Sequence, residues 1–246
     1  WAGGDWFCAL VVAGAVLLAF EWARMCAPNL WRPVGISVAL ALVVAVIAAH
    51  VGQISLALVL MVFGALAAGL FARTRGESLL DTAYGVLYLG WPCILLIWLR
   101  DLHEVQGLYW TVLVFAVAWS ADILAYLVGS FVGGPKLWPR FSPNKTWSGF
   151  IGGLTAGMIA GAAMAGWLDM GLLNAFWGGV LGLTAALATM GGDLWESALK
   201  RRFGVKDAGN LIPGHGGLLD RVDGLMFAVV VVSAGRLIVL MLERAA

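Results

Sequence analysis

Residues 33–72, PVGISVALALVVAVIAAHVGQISLALVLMVFGALAAGLFA, lie between Arg32 and Arg73 and contain no acidic residue, lysine or arginine. A helix crossing a bilayer takes about 20 apolar residues, and this stretch runs for forty uncharged ones, interrupted by His50, Gly52 and Gln53. It predicts two membrane helices joined by a tight turn. Charged residues punctuate the rest of the chain in the same way, because each is costly at the bilayer centre. Asp5 and Glu21 bracket 15 uncharged residues, a short first helix. Asp81 and Arg100 bracket 18, and Glu104 and Asp122 bracket 17 in a run that continues to Val132. Lys145, Asp169 and Asp193 mark off two runs of 23, and Asp223 and Glu243 enclose 19 with Arg236 among them. The expected fold class is all-α, a polytopic integral membrane helical bundle with eight spans counted in this way.

Composition agrees. Of 246 residues, 62% are hydrophobic and 12% charged, against about a quarter charged in soluble domains. Fifteen basic residues against 14 acidic ones give a net charge of +1, so no basic surface points to nucleic acid. Cys8, Cys26 and Cys93 form no CxxC pair, and no disulfide is expected. The chain opens on Trp1 rather than methionine, which leaves room for a leader or an earlier helix before it.

Orientation follows from the basic residues. Arg24, Arg32, Arg73, Arg75, Lys136, Arg140, Lys145, Lys200, Arg201, Arg202, Lys206 and Arg221, twelve of fifteen, lie in the first, third, fifth and seventh connections. The positive-inside rule places those connections in the cytoplasm and both visible chain ends outside. Gly149, Gly153, Gly157, Gly161 and Ala165 recur every four residues, a ridge that admits a close neighbouring helix within the chain or in a homodimer. Trp22, Trp31, Trp91, Trp98 and Trp110 are expected as interfacial anchors.

Chemistry concentrates in residues 191–224, GGDLWESALKRRFGVKDAGNLIPGHGGLLDRVDG. Asp193, Glu196 or Ser197, and Lys200 stand three and four apart and share a helix face. Carboxylates that can hold a metal beside ammonium groups that can hold phosphate suit a polyphosphate with its cations. Gly204, Gly209, Pro213, Gly214, Gly216 and Gly217 break the helix and are expected to bring backbone N–H groups to a ligand. Arg201 and Arg202 are equally well read as topology signals. Asp193, Glu196, Asp220 and Asp223 flank the glycine-rich loop at membrane edges, where carboxylates are expensive and usually functional. Asp122, with Ser120 and Tyr126 nearby, is either an interhelical partner or part of a site. In SPNKTWSG, residues 142–149, Lys145 and Thr146 could hold phosphate, while Ser142 and Pro143 also read as a helix cap and first turn. His50 and His103 read as interfacial; His215, among glycines, reads as a loop-ordering or phosphate-contacting group. No Walker or GxGxxG sequence occurs in this loop.

Ser197-x-Leu199-Lys200-Arg201, Lys206-Asp207 and Pro213-x-His215-Gly216-Gly217-Leu218-x-Asp220-Arg221-x-Asp223 resemble the signature of the phosphatidate cytidylyltransferases, the CDP-diacylglycerol synthases. Asp122, Ala125, Tyr126 and Gly129, the SPNKT loop, and Tyr84 to Arg100 with Gly90, Pro92 and Leu99 resemble that family in the same order. Ser148 departs from the SPKKT-x-EG version, which carries Glu in this stretch. The resemblance implies eight to nine spans, with residues 1–75 as helices without signature and 76–246 as a catalytic transmembrane domain. It implies a bacterial inner membrane protein with its active site facing the cytoplasm. The implied reaction joins CTP and phosphatidic acid to give CDP-diacylglycerol and pyrophosphate, with Mg2+ and a neighbouring K+ as cofactors and membrane lipids as surroundings. Asp193 and Asp220 are then the metal-holding carboxylates, with Glu196 and Asp223 as further candidates. Lys200, Arg201, Lys206 and Arg221 would neutralise the triphosphate, and Lys145 and Ser142 would contact phosphate. Ser197, Asp122 and His215 complete the expected substrate-binding set.

Three other readings are weighed. A CTP-dependent polyprenol or phytol kinase would release CDP instead of pyrophosphate. An ion-coupled transporter would line a path with Asp122, Asp193 and Arg236, but the spans show no inverted repeat. A CDP-alcohol transferase would need a DGxxAR pattern, and Asp223-Gly224 is followed by Leu225, Met226 and Phe227.

Overall fold

The computed structural model describes residues 4–101, 104–139, 142–211 and 216–245. Among them are eight helices long and apolar enough to cross a membrane, and the chain is an integral membrane protein. They are α1 (Gly4–Cys26), α2 (Trp31–His50), α3 (Ile54–Thr74), α4 (Leu79–Asp101), α5 (Glu104–Val132), α6 (Trp147–Trp167), α7 (Ala175–Arg202) and α8 (Leu219–Ala245). The forty uncharged residues form α2 and α3 as expected, and Gly52 turns the chain between them at φ +80. A short hairpin of β1 (Lys136–Trp138) and β2 (Ser142–Thr146) is the sheet among the described residues. The chain divides into two compact units: residues 1–101 with 200–222, and residues 102–199 with 223–246.

In the first unit α1 packs on α2 and α4, α2 on α3 and α4, and α3 on α4. Small residues set the spacing. A methyl group added at Gly64 would meet the Ala41 Cβ at 2.7 Å, and one at Gly69 the Leu79 carbonyl oxygen at 2.8 Å. The first helix is longer than the charge punctuation suggests, running 23 residues through Glu21 and Arg24. Glu21 does not end it, because the carboxylate turns inward and is 2% exposed. Trp22 corrects a second expectation. It is no interfacial anchor: the indole is fully buried, donates from Nε1 to the Asp81 carbonyl at 3.0 Å, and packs against Tyr84, Tyr88 and Phe203.

Alternating helices bring alternate connections to the same end of this unit. At one end His50 bridges Asp5 at 2.9 Å and Asp101 at 3.1 Å. At the other, Arg202 donates to the Asp81 carboxylate. Three of the connections rich in basic residues, the first, third and seventh, therefore share an end.

In the second unit the glycine ridge of α6 is an internal contact. Gly149, Gly153, Gly157, Gly161 and Ala165 are all buried. A methyl group on Gly153 would lie 2.7 Å from the Ala121 carbonyl oxygen of α5, and one on Gly161 would lie 2.8 Å from the Gly182 Cα of α7. Backbones without side chains between them gain dispersion contacts over a long interface, the route open to helices that share an apolar solvent. Arg236 lies fully inside α8, where Glu243 at 3.3 Å, Gln106 at 3.0 Å and the Trp110 ring at 5.4 Å surround its guanidinium. Trp110 is thereby a core residue rather than an anchor, with no exposed surface.

Candidate active site

Two polar clusters stand out, one in each unit. The second unit holds carboxylates from three helices: Asp122 on α5, Asp193 and Glu196 on α7, and Asp223 on α8. Glycines bring them together. A methyl group on Gly192 would lie 2.8 Å from the Asp223 carbonyl oxygen, and one on Gly224 would lie 2.8 Å from that of Thr189. The α7 and α8 backbones therefore touch beside Asp193 and Asp223. Asp223 is within electrostatic range of Asp193, Glu196 and Asp122, and Asp122 is within range of Asp193 and Lys145. Glu196 is buried, whereas Asp122 is open at the protein surface.

Lys145 pairs with Asp193 and belongs to β2. Ser142 and Pro143 do not cap a helix; they are strand residues, with Trp138 opposite Ser142 and Lys136 opposite Thr146. The α6 cap is Thr146, whose hydroxyl accepts from the Gly149 N–H at 3.2 Å. Gly133 and Gly134, at φ +65 and +108, turn the chain out of α5 into the hairpin. Ser148, the position that departs from the family pattern, donates its hydroxyl proton to the Gly133 carbonyl and contacts the Thr146 hydroxyl. The residue in that stretch thus fastens the hairpin to both helices, which fixes where Lys145 points.

Several carboxylates gathered in a membrane span repel one another unless cations join them. Among the described residues no three His, Cys, Asp or Glu side chains form a ready-made metal cage. Carboxylate oxygens are the kind of donor that magnesium takes, one or two of them with waters and phosphates completing its shell.

The first unit holds the glycine-rich loop. Lys200 Nζ donates to Asp220 Oδ1 at 2.6 Å, and the Ala208 and Gly217 N–H groups donate to Oδ2 at 3.0 and 2.7 Å. Leu218 and Leu219, entering α8, donate their N–H groups to the two Glu21 oxygens at 2.8 and 2.7 Å. Gly209 and Gly217 sit so close above Glu21 that a methyl on either would lie 2.7 Å from Oε1. Of the loop glycines expected to offer backbone N–H groups to a ligand, Gly217 aims its N–H at the chain's own Asp220. Gly204 and Gly216, at φ +72 and +85, make the bends that permit this. Glu21 is the residue the sequence reading passed over. Its signal was present, an acid inside an apolar run, but it was read as a helix boundary.

The remaining expected residues are distributed as follows. Ser197 is half-buried on α7, and Lys206 and Arg221 are exposed. Arg201 is exposed and donates to the Val205 carbonyl at 3.3 Å. His215 and Pro213, like His103 and Arg140, lie outside the described residues.

Comparison with known proteins gives a consistent result. The phosphatidate cytidylyltransferase of Brucella abortus biovar 1 (strain 9-941) is 52% identical over 150 residues, covering 59% of this chain and 53% of that protein. The phosphatidate cytidylyltransferase of Staphylococcus aureus (strain COL) is 41% identical over 154 residues, 62% of this chain and 58% of that protein. The chain thus spans about half the length of the curated relatives it matches. The sequence model of the Cytidylyltransferase family matches residues 1–238, and the chain belongs to that family.

Proposed function

We propose that the chain is a phosphatidate cytidylyltransferase of the bacterial inner membrane, with CTP and phosphatidate as substrates and its active site on the cytoplasmic side. The observation that carries this reading is the cluster of Asp122, Asp193, Glu196 and Asp223 with Lys145 paired to Asp193. A phosphatidate oxygen attacks the α-phosphorus of CTP; the new P–O bond forms as the bond to the bridging oxygen breaks, and pyrophosphate leaves. Both reactants are anions, so positioning and charge neutralisation dominate the barrier. Asp193 and Asp223, with Glu196 beside them, would hold Mg2+, and a K+ beside it is the second ion that the resemblance implies. When bound, the divalent cation withdraws charge from the phosphates. Lys145, fixed by the hairpin, binds a phosphate oxygen when it leaves Asp193.

The resemblance assigns Lys200 and the exposed Lys206, Arg201 and Arg221 of the loop to the triphosphate. Asp220, the other carboxylate expected at the metal, is tied to Lys200 and two backbone amides, so it also holds the loop's shape. A phosphate monoester is ionised near neutral pH, and no strong base is required of the protein.

The test is one assay on purified protein with labelled CTP, phosphatidate and magnesium. Label entering the lipid fraction in step with released pyrophosphate is expected. Release of CDP with a phosphorylated lipid would replace this reading with a lipid kinase, and no nucleotide consumption would remove both.

A further inference from the structure

We propose that the groove between α1 and α2 binds the phosphate monoester headgroup of a diacyl lipid through Arg24 and Arg32. The groove has a volume of about 380 Å³ and lies where α1 ends and α2 begins. Its charged rim is made of two guanidiniums stacked on one indole: Arg24 lies 4.5 Å and Arg32 5.1 Å from the Trp31 ring centre. Stacking restricts both side chains while leaving their N–H edges able to donate. Below the rim the lining turns apolar, with Leu17, Phe20 and Ile36 along the two helices. At 1.5 Å per residue, the seven positions from Arg24 back to Leu17 span about 10 Å. That is the passage from headgroup level to the upper acyl chains.

Charge decides among lipids. A monoester carries about −1.5 to −2 near neutral pH, which two guanidiniums match, whereas a diester headgroup such as phosphatidylglycerol carries one negative charge and leaves one guanidinium uncompensated. Glu21 also lines the groove, but both its oxygens accept backbone N–H groups at the start of α8. Those bonds engage its carboxylate with the loop, and the two guanidiniums remain the donors on the rim. The α2 terminus has no side-chain cap, so its first N–H groups add to the pull on an anion. Leu211 of the glycine-rich loop forms another wall of the groove, which sets a bound headgroup beside the Lys200–Asp220 pair's loop. That this lipid is the acceptor substrate rests on the cytidylyltransferase reading; that it binds here does not.

The experiment needs no turnover. The full chain is placed in phosphatidylcholine nanodiscs with equal small fractions of phosphatidate and phosphatidylglycerol, without CTP, and retained lipid is identified by native mass spectrometry. The wild-type chain should retain phosphatidate over phosphatidylglycerol. Arg24→Gln with Arg32→Gln should retain about tenfold less phosphatidate, the loss of one charge-assisted contact or more. Ile36→Trp fills the groove without touching charge and should lose the lipid as well, with both variants still monodisperse. Equal retention of the two lipids by the wild-type chain, or unchanged phosphatidate in the folded variants, overturns the proposal. A chain that retains phosphatidate through Arg24 and Arg32 but makes no lipid nucleotide would keep the groove and sink the cytidylyltransferase reading.

Discussion

The two polar clusters use the same side chains in opposite ways. In the first unit Glu21 and Asp220 accept short hydrogen bonds from backbone amides and, for Asp220, from Lys200. In the second unit Asp122, Asp193, Glu196 and Asp223 share one another's field. A carboxylate supplied with donors is a structural element whose removal leaves unpaired buried groups. Carboxylates collected against each other oppose folding and gain by a cation. The comparison teaches that charge near a membrane is informative only through its partners: one set is met by backbone amides and Lys200 and holds a loop in shape, and in the other Lys145 on Asp193 stands among several acids, the set proposed above to hold a cation.

The sharpest way to break this contrast is Asp223→Asn. Lipid nucleotide formation should fall about a thousandfold, the scale of a lost electrostatic group in a transition state, while thermal stability holds or rises because one like charge is gone. A stability loss as large as that of the loop variants would erase the distinction. Asp220→Asn comes next, with lost activity and about 2 kcal/mol of lost stability, since the charge that receives Lys200 and two backbone amides is removed from a part-buried site. Activity lost at unchanged stability would move Asp220 from the loop to the ligand. Glu21→Gln should cost about 2 kcal/mol and raise the CTP concentration needed for half-maximal rate more than it lowers the maximal rate, measured by initial-rate kinetics. Arg202→Ala should be the mildest. Its side chain is 60% exposed where it meets the more sheltered Asp81, and about 1 kcal/mol or less is expected in chemical denaturation.

Much of this was legible in the sequence. The spans were, because uncharged runs of sufficient length admit few structures in lipid. So was the glycine ridge, since its four-residue repeat is itself the packing device. The paired Asp193 and Lys145 could be named as site residues but not joined, because hairpin geometry decides where Lys145 points. Ser142 looked like a helix cap and proved to be a strand residue, as local signals for caps and turns use the same side chains. Trp22 and Trp110 were misread as anchors because tryptophan's preference for interfaces is statistical, whereas a backbone carbonyl or a buried guanidinium gives an individual indole a place inside. Glu21 was missed for a deeper reason. Its partners are backbone amides 197 and 198 residues away, and amides carry no letter in a sequence.

That long-range contact bears on how the chain can be divided. Cutting before residue 76 preserves every recognisable motif yet discards the acid that receives the amides of Leu218 and Leu219, so a minimal fragment chosen by motif would start life with its glycine-rich loop unmoored. During synthesis Glu21 emerges well before these amides, so it can take its bonds only after the start of α8 has been made.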